Sequence, residues 1–98
     1  MTKFRLETKR ITDWASFHLV CEEAFGFPAY YGRNMNAWID CMSSFETDEE
    51  IIQVEITDTE DFNRRLPEIF DALVECTAFV NNRYINSGES IKIASVFL

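Results

Sequence analysis

Between Pro28 and Gly32 the chain sets two adjacent tyrosines, Tyr30 and Tyr31, on a constrained loop, and the segment that Asn34 can open as a helix carries one carboxylate, Asp40. A tyrosine ring offers a large, weakly polar face at small entropic cost, which is what interface anchors use. A carboxylate offers two anionic oxygens to a guanidinium or an ammonium group. The chemistry available to this stretch is therefore that of a binding hot spot. Met35, Trp38, Ile39 and Met42 fall at i, i+3, i+4 and i+7 and should face a core, so Asn36, Asp40 and Ser43 must point the opposite way, toward solvent or a partner. Of the two rings, one is expected to cover the core beneath the loop and the other to present its face and hydroxyl outward.

Other chemistry-bearing residues offer less. His18 is the only histidine, and with Cys21 and Glu22 it could be imagined in a metal site, but Cys21 lies in an apolar stripe and no further Cys or His pair completes the coordination. A structural or surface histidine is the better reading, and no metal or cofactor is assigned. Three glycines, none in a phosphate-cradling cluster, and a lone histidine without a nucleophile motif argue against nucleotide loops and triad hydrolases. Glu22 with Glu23, Glu46 to Glu50 and Asp58 to Asp61 sit in helix-cap or solvated contexts. An enzyme is not expected; one using Glu22 or Asp61 is the least favoured alternative.

The elements that must position these residues are legible in order. Phe4 and Leu6 alternate with Lys3, Arg5 and Glu7 as a first strand. Thr12 and Asp13 can cap a helix whose apolar stripe is Trp14, Phe17, Val20, Cys21, Ala24 and Phe25, with Gly26 as its stop. After the loop and second helix, Ser43 to Glu50 reads as a polar, acidic connection, and Ile52, Val54 and Ile56 as a second strand. Beyond Thr57, Pro67 divides the helical stretch into a short helix to about Leu66 and a longer one carrying Ile69, Phe70, Leu73, Val74, Thr77 and Val80. Asn81, Asn82, Asn86, Ser87 and Gly88 read as loop, and Ile91, Ile93, Val96 and Phe97 as a last strand, apolar enough to expect cover on both faces. Strands separated by helices imply an α/β fold with a small parallel sheet.

The whole chain, residues 1–98, reads as one domain with 47% hydrophobic residues, ample for a core. Its net charge of −8 repels phosphate backbones and attracts basic surfaces, so direct nucleic-acid binding is disfavoured; by itself the charge favours a role in solubility alone over a basic partner. Cys21, Cys41 and Cys76 are odd in number and form no C-x-x-C pair, which fits a reducing cytoplasm. No stretch reads as a signal peptide or a membrane span.

The run Pro28-x-Tyr30-Tyr31-Gly32-x-Asn34-x-x-Ala37, followed by Asp40-Cys41, resembles the barstar family of ribonuclease inhibitors. Beyond it the resemblance is one of layout, but that layout covers essentially the whole chain. It implies a three-stranded parallel sheet packed with about four helices, and inhibition of a basic bacterial ribonuclease or nuclease toxin by a loop and helix over residues 27–45. The partner implied is a protein, met by an inhibitor that is a monomer before the complex forms. By the same resemblance Asp40 mimics the substrate phosphate, Tyr30 stacks on the nuclease active site, Tyr31 and Gly32 hold the loop, Asn34 contacts the nuclease at the helix start, and Ser43 and Ser44 lie at the rim. An ungapped alignment through the long helix places Glu75 as a second acidic contact. Asn36 stands where the family's archetype carries another aspartate, and Trp38-Ile39 inverts a Leu-Trp order, so the cognate nuclease is expected to have diverged as well. The alternative is an acidic module on the same fold that binds a basic partner other than a ribonuclease.

Overall fold

The computed structural model describes residues 2–44 and 51–98. Three strands, β1 (Thr2–Leu6), β2 (Ile52–Ile56) and β3 (Ile93–Phe97), form a parallel sheet in the order β1-β2-β3. Between β1 and β2 the chain makes a 3-10 turn (Thr8–Arg10) and two helices, α1 (Trp14–Phe25) and α2 (Met35–Ser43); between β2 and β3 it makes α3 (Thr59–Arg65) and α4 (Pro67–Asn86). This is the expected α/β architecture of four helices on a three-stranded parallel sheet. Among the described residues no helix is long and apolar enough to cross a membrane.

Local chemistry explains most element ends. Asp13 caps α1 by accepting from the Ser16 N–H at 2.8 Å while the Ser16 hydroxyl accepts from the Asp13 N–H, a reciprocal capping box. Gly26 closes the same helix at φ 66, a left-handed conformation in which a side chain is strained. Asn34 caps α2 through the Ala37 N–H at 2.8 Å. Pro67 stands in the first turn of α4, where its missing N–H costs nothing, so α3 ends just before it.

The sheet covers its core on one face only. In register, Phe4, Val54 and Ser95 point one way with Leu6, Ile52, Ile56 and Ile93, while Lys3, Arg5, Gln53 and Glu55 point the other, with Arg5 and Glu55 paired at 3.5 Å. The buried side is completed by Phe17 and Cys21 of α1, Trp38 and Met42 of α2, Phe62 of α3 and Leu73 and Val80 of α4. This corrects the expectation for the last strand. β3 is an edge strand, only Ile93 of it is fully buried, and Phe97 is exposed.

A second correction concerns α4, which runs through Asn81 and Asn82 to Asn86 where the sequence reads as loop. Asn81 does not break the helix because its side chain serves the sheet. Its Oδ1 accepts from the N–H groups of Lys92 and Ile93 at 3.0 and 2.8 Å, and its Nδ2 donates to the Ile93 carbonyl at 3.0 Å. Tyr84, one turn further, donates to the Ser43 carbonyl and ties α4 to the end of α2. Val74, expected with the apolar set of this helix, is exposed, and Ile91 lies before β3. The acidic connection over 45–50, including the last residue of the expected 27–45 segment, lies outside the described residues.

Candidate protein-binding site

The loop between α1 and α2 is held at both ends and in the middle. The Tyr31 N–H donates to the Pro28 carbonyl at 2.9 Å, closing a tight turn. The Tyr31 ring is 5% exposed, lies 4.7 Å from the Phe27 ring, and puts its hydroxyl 2.6 Å from Nδ1 of the buried His18. Gly32 passes close to the start of α2: a Cβ there would lie 3.4 Å from the Ala37 Cβ, and its carbonyl accepts from the Asn34 side chain. Arg33 adopts φ 53, and its guanidinium reaches Glu22 at 3.3 Å. The turn that buries Tyr31 turns Tyr30 out, leaving it 87% exposed. The expected division of labour between the two rings is what the fold produces.

Asp40 leaves α2 on the exposed side. Among the described residues no cation lies within ion-pair reach of it. Its carbonyl accepts from the Ser44 N–H at 3.0 Å and from the Ser44 hydroxyl at 2.8 Å, which fixes the end of the helix. With Tyr30, Cys41 and Ser44 on one side and Phe27 and Pro28 on the other, Asp40 lines a hollow of about 370 Å³. Here the structure brings together Tyr30, Asp40 and Ser44 of the residues singled out by sequence.

The others are placed differently. Tyr31 holds the loop from beneath, and Gly32, itself exposed, lets it pass close to Ala37. Asn34 is exposed, but both ends of its side chain serve the cap and the Gly32 carbonyl. Asn36 is exposed on the first turn of α2 and does not line the hollow. Ser43 is half-buried, its hydroxyl accepting from Arg83 at 3.3 Å and its carbonyl from Tyr84. Glu75 is exposed on α4, outside the hollow. Sequence reasoning did not find the support that His18 gives Tyr31. The two lie 13 positions apart on a helix and a loop, and no local period connects them.

Burial sets the protonation of the thiols, the phenol and the imidazole around the loop. Burial, and then the neighbouring Asp40 charge, pushes the Cys41 thiol up, so the one cysteine lining the hollow stays protonated at neutral pH. Cys76 is pushed up by burial and by Glu75, and burial takes Cys21 to about 12, offset in part by the indole N–H of Trp38. Among the described residues that N–H meets no nitrogen or oxygen acceptor; the sulfur of Cys21, a weak acceptor, is its neighbour. Burial raises Tyr31, assisted by Cys21, Cys41 and Glu22, and lowers His18, assisted by Arg33, so the pair is neutral. Among the described residues no group of three His, Cys, Asp or Glu side chains converges as metal ligands.

Fold and site together define a small α/β domain that displays, on one loop and helix, an exposed aromatic ring and a carboxylate without an ion-pair partner among the described residues. A family model described as Barstar (barnase inhibitor) matches residues 1–95, and the chain belongs to the Barstar family. The family is one of inhibitors, with a ribonuclease as the bound protein. No curated protein matches the chain.

Proposed function

We propose that this chain inhibits a basic bacterial ribonuclease and acts in the cytoplasm of the cell that makes it, as the immunity or antitoxin partner of a nuclease toxin. The observation that supports this best is Asp40, an exposed carboxylate with no cation of its own among the described residues, beside the exposed ring of Tyr30 in one hollow. The loop and α2 enter the nuclease cleft, and Asp40 stands where the substrate phosphate would. Its two oxygens meet the guanidinium and ammonium groups that otherwise grip RNA, and exclusion of water makes that pairing strong and exacting. Tyr30 stacks on the active site, Asn34 and Asn36 add polar contacts, Ser43 and Ser44 lie at the rim, and Glu75 adds a second carboxylate from α4. The net charge of −8 steers the inhibitor, a monomer until the complex forms, toward the basic enzyme and away from RNA.

The test is RNA cleavage by a panel of basic bacterial ribonucleases, barnase included, with the protein added in equal amount. Wild type should abolish cleavage by at least one member. Asp40→Ala should weaken that complex by about 2–5 kcal/mol, a range measured in part on this family's own archetypal complex rather than calculated from this structure. Undiminished affinity in the variant would overturn the role given to Asp40. Binding to a basic protein without loss of its cleavage would leave an acidic module with a partner other than a ribonuclease.

A further inference from the structure

Residues 27–44 contain two charged side chains, Arg33 and Asp40, and the fold turns them toward two different hollows. Asp40 belongs to the one described above. Arg33 belongs to a second, of about 490 Å³, walled by Trp14, Ala15, His18, Asn34 and Met35. Pro28 and Tyr30 therefore run along one concavity, and Arg33 and Asn34 along the other, joined by a single loop.

The second hollow offers an aromatic face and a guanidinium side by side. Trp14 opens the apolar stripe of α1 yet is 39% exposed. Its ring is fixed edge-on against Phe17, with centroids 5.7 Å apart, and stacked on His18 at 6.0 Å. An aromatic face packed on two other rings has less freedom left to lose on contact. Beside it, Arg33 is mostly exposed and spends one hydrogen bond on Glu22, leaving most of its guanidinium donors available. Tryptophan and arginine are the residue types most enriched among those that dominate interface energies.

Charge decides the occupant. Among the described residues five other cations of this acidic chain also face carboxylates: Arg5 with Glu55, Lys9 with Asp58, Arg10 with Glu23, and Arg64 and Arg65 with Asp61. Arg33 is paired as well, with Glu22 at 3.3 Å, but its side chain is 62% exposed on the loop that leads to Asp40, where its free donors suit a carboxylate of the partner and meet a cation poorly. We infer that the hollow of Trp14 and Arg33 is a second recognition pocket for the same ribonuclease, taking an apolar or aromatic side chain flanked by a carboxylate from the rim of the nuclease cleft. The inference rests on the function proposed above and adds selectivity to it. Asp40 addresses the cationic centre that RNA cleavage requires, whereas Arg33 reads a rim that catalysis leaves free to vary, and rejects nucleases with a basic rim.

The experiment uses the full chain labelled with 5-fluorotryptophan and the panel member that wild type inhibits. On titration the fluorine resonance of Trp14 should shift while that of the buried Trp38 stays. Arg33→Gln and Ala15→Glu should each raise Kd about tenfold, the size of a residue that matters to an interface. Ala15 is exposed in the first turn of α1, where an added carboxylate suits the helix, so Ala15→Glu blocks the hollow with the fold kept, as a thermal melt checks. If both variants bind like wild type while Asp40→Ala is weakened, the second pocket is refuted and the inhibitor reading stands. A Trp14 shift that depends on inhibitor concentration, without nuclease, would hand the hollow to a second copy and overturn the inference. If no panel member is bound by wild type, the inhibitor reading falls and takes this pocket with it.

Discussion

Asp40 is placed where folding does not want it. It lies in the last turn of α2, among carbonyls that carry the negative end of the helix dipole, with no cation nearby among the described residues. We therefore expect Asp40→Asn to stabilise the free protein by about 0.3–1 kcal/mol in chemical denaturation while weakening the nuclease complex. Opposite signs in the two measurements are the mark of a side chain kept for binding, and equal signs would make it structural. His18 is the reverse case, a side chain kept for the fold. Burial, and then Arg33, lowers it below its usual 6.5, so the folded protein holds it neutral while the unfolded chain takes up a proton near 6.5. The native state binds fewer protons in that window. Stability is therefore full above about pH 6.5 and is lost as pH falls from there toward the lowered native value. His18→Gln should flatten this slope in denaturation midpoints between about pH 8 and about pH 5. Asp13 and Asp61, lowered by Ser16 and by Arg65 respectively, act in a separate window below the carboxylate value of 3.8.

Asn81 shows how an element can be misread from its composition. Asparagines favour loops because their side chains compete with helix for backbone groups. Here the competition is satisfied across space, by the N–H groups of Lys92 and Ile93 and the carbonyl of Ile93, and the helix continues. Those bonds also cover the outer edge of β3 at its first residue, where an unpaired strand invites pairing with other chains. Replacing Asn81 with Leu should cost about 1–3 kcal/mol and speed hydrogen exchange at Ile93 more than at β1 amides. At the other element boundary, Asn34→Ala removes the α2 cap and the bond to Gly32 together. About 1 kcal/mol of stability should be lost, and nuclease affinity should fall as the loop loosens, although Asp40 is untouched.

At the scale of the molecule, the charge of −8 spreads over a fold whose sheet faces its core on one side and solvent on the other. Long-range attraction of this kind acts on encounter rather than on the finished interface. Raising salt from about 0.05 M to about 0.5 M should slow association with the nuclease at least about tenfold and change dissociation far less, whereas Asp40→Ala should act chiefly on dissociation. Stopped-flow mixing separates the two. A salt-insensitive association rate would mean that the acidic surface serves solubility alone.

Much of this protein was open to reading from residue order. The capped starts at Asp13 and Asn34, the stop at Gly26, the break at Pro67 and the alternation of Ile52, Val54 and Ile56 rest on interactions between residues within about four positions of one another, and such interactions survive in a one-dimensional pattern. The course of the loop before α2 was legible too, because the Pro28 to Gly32 frame and the helix phase of Asp40 are local as well. What packing alone settled spans longer separations. Tyr31 rather than Tyr30 turned inward because His18 waits for its hydroxyl 13 positions away; Asn81 stayed helical because β3 needed its amide 12 positions on; and the hollow beside Asp40 closed because Phe27 and Ser44, from opposite ends of the segment, arrive at one place. Those arrangements come from the burial of a common core, and burial depends on every element at once.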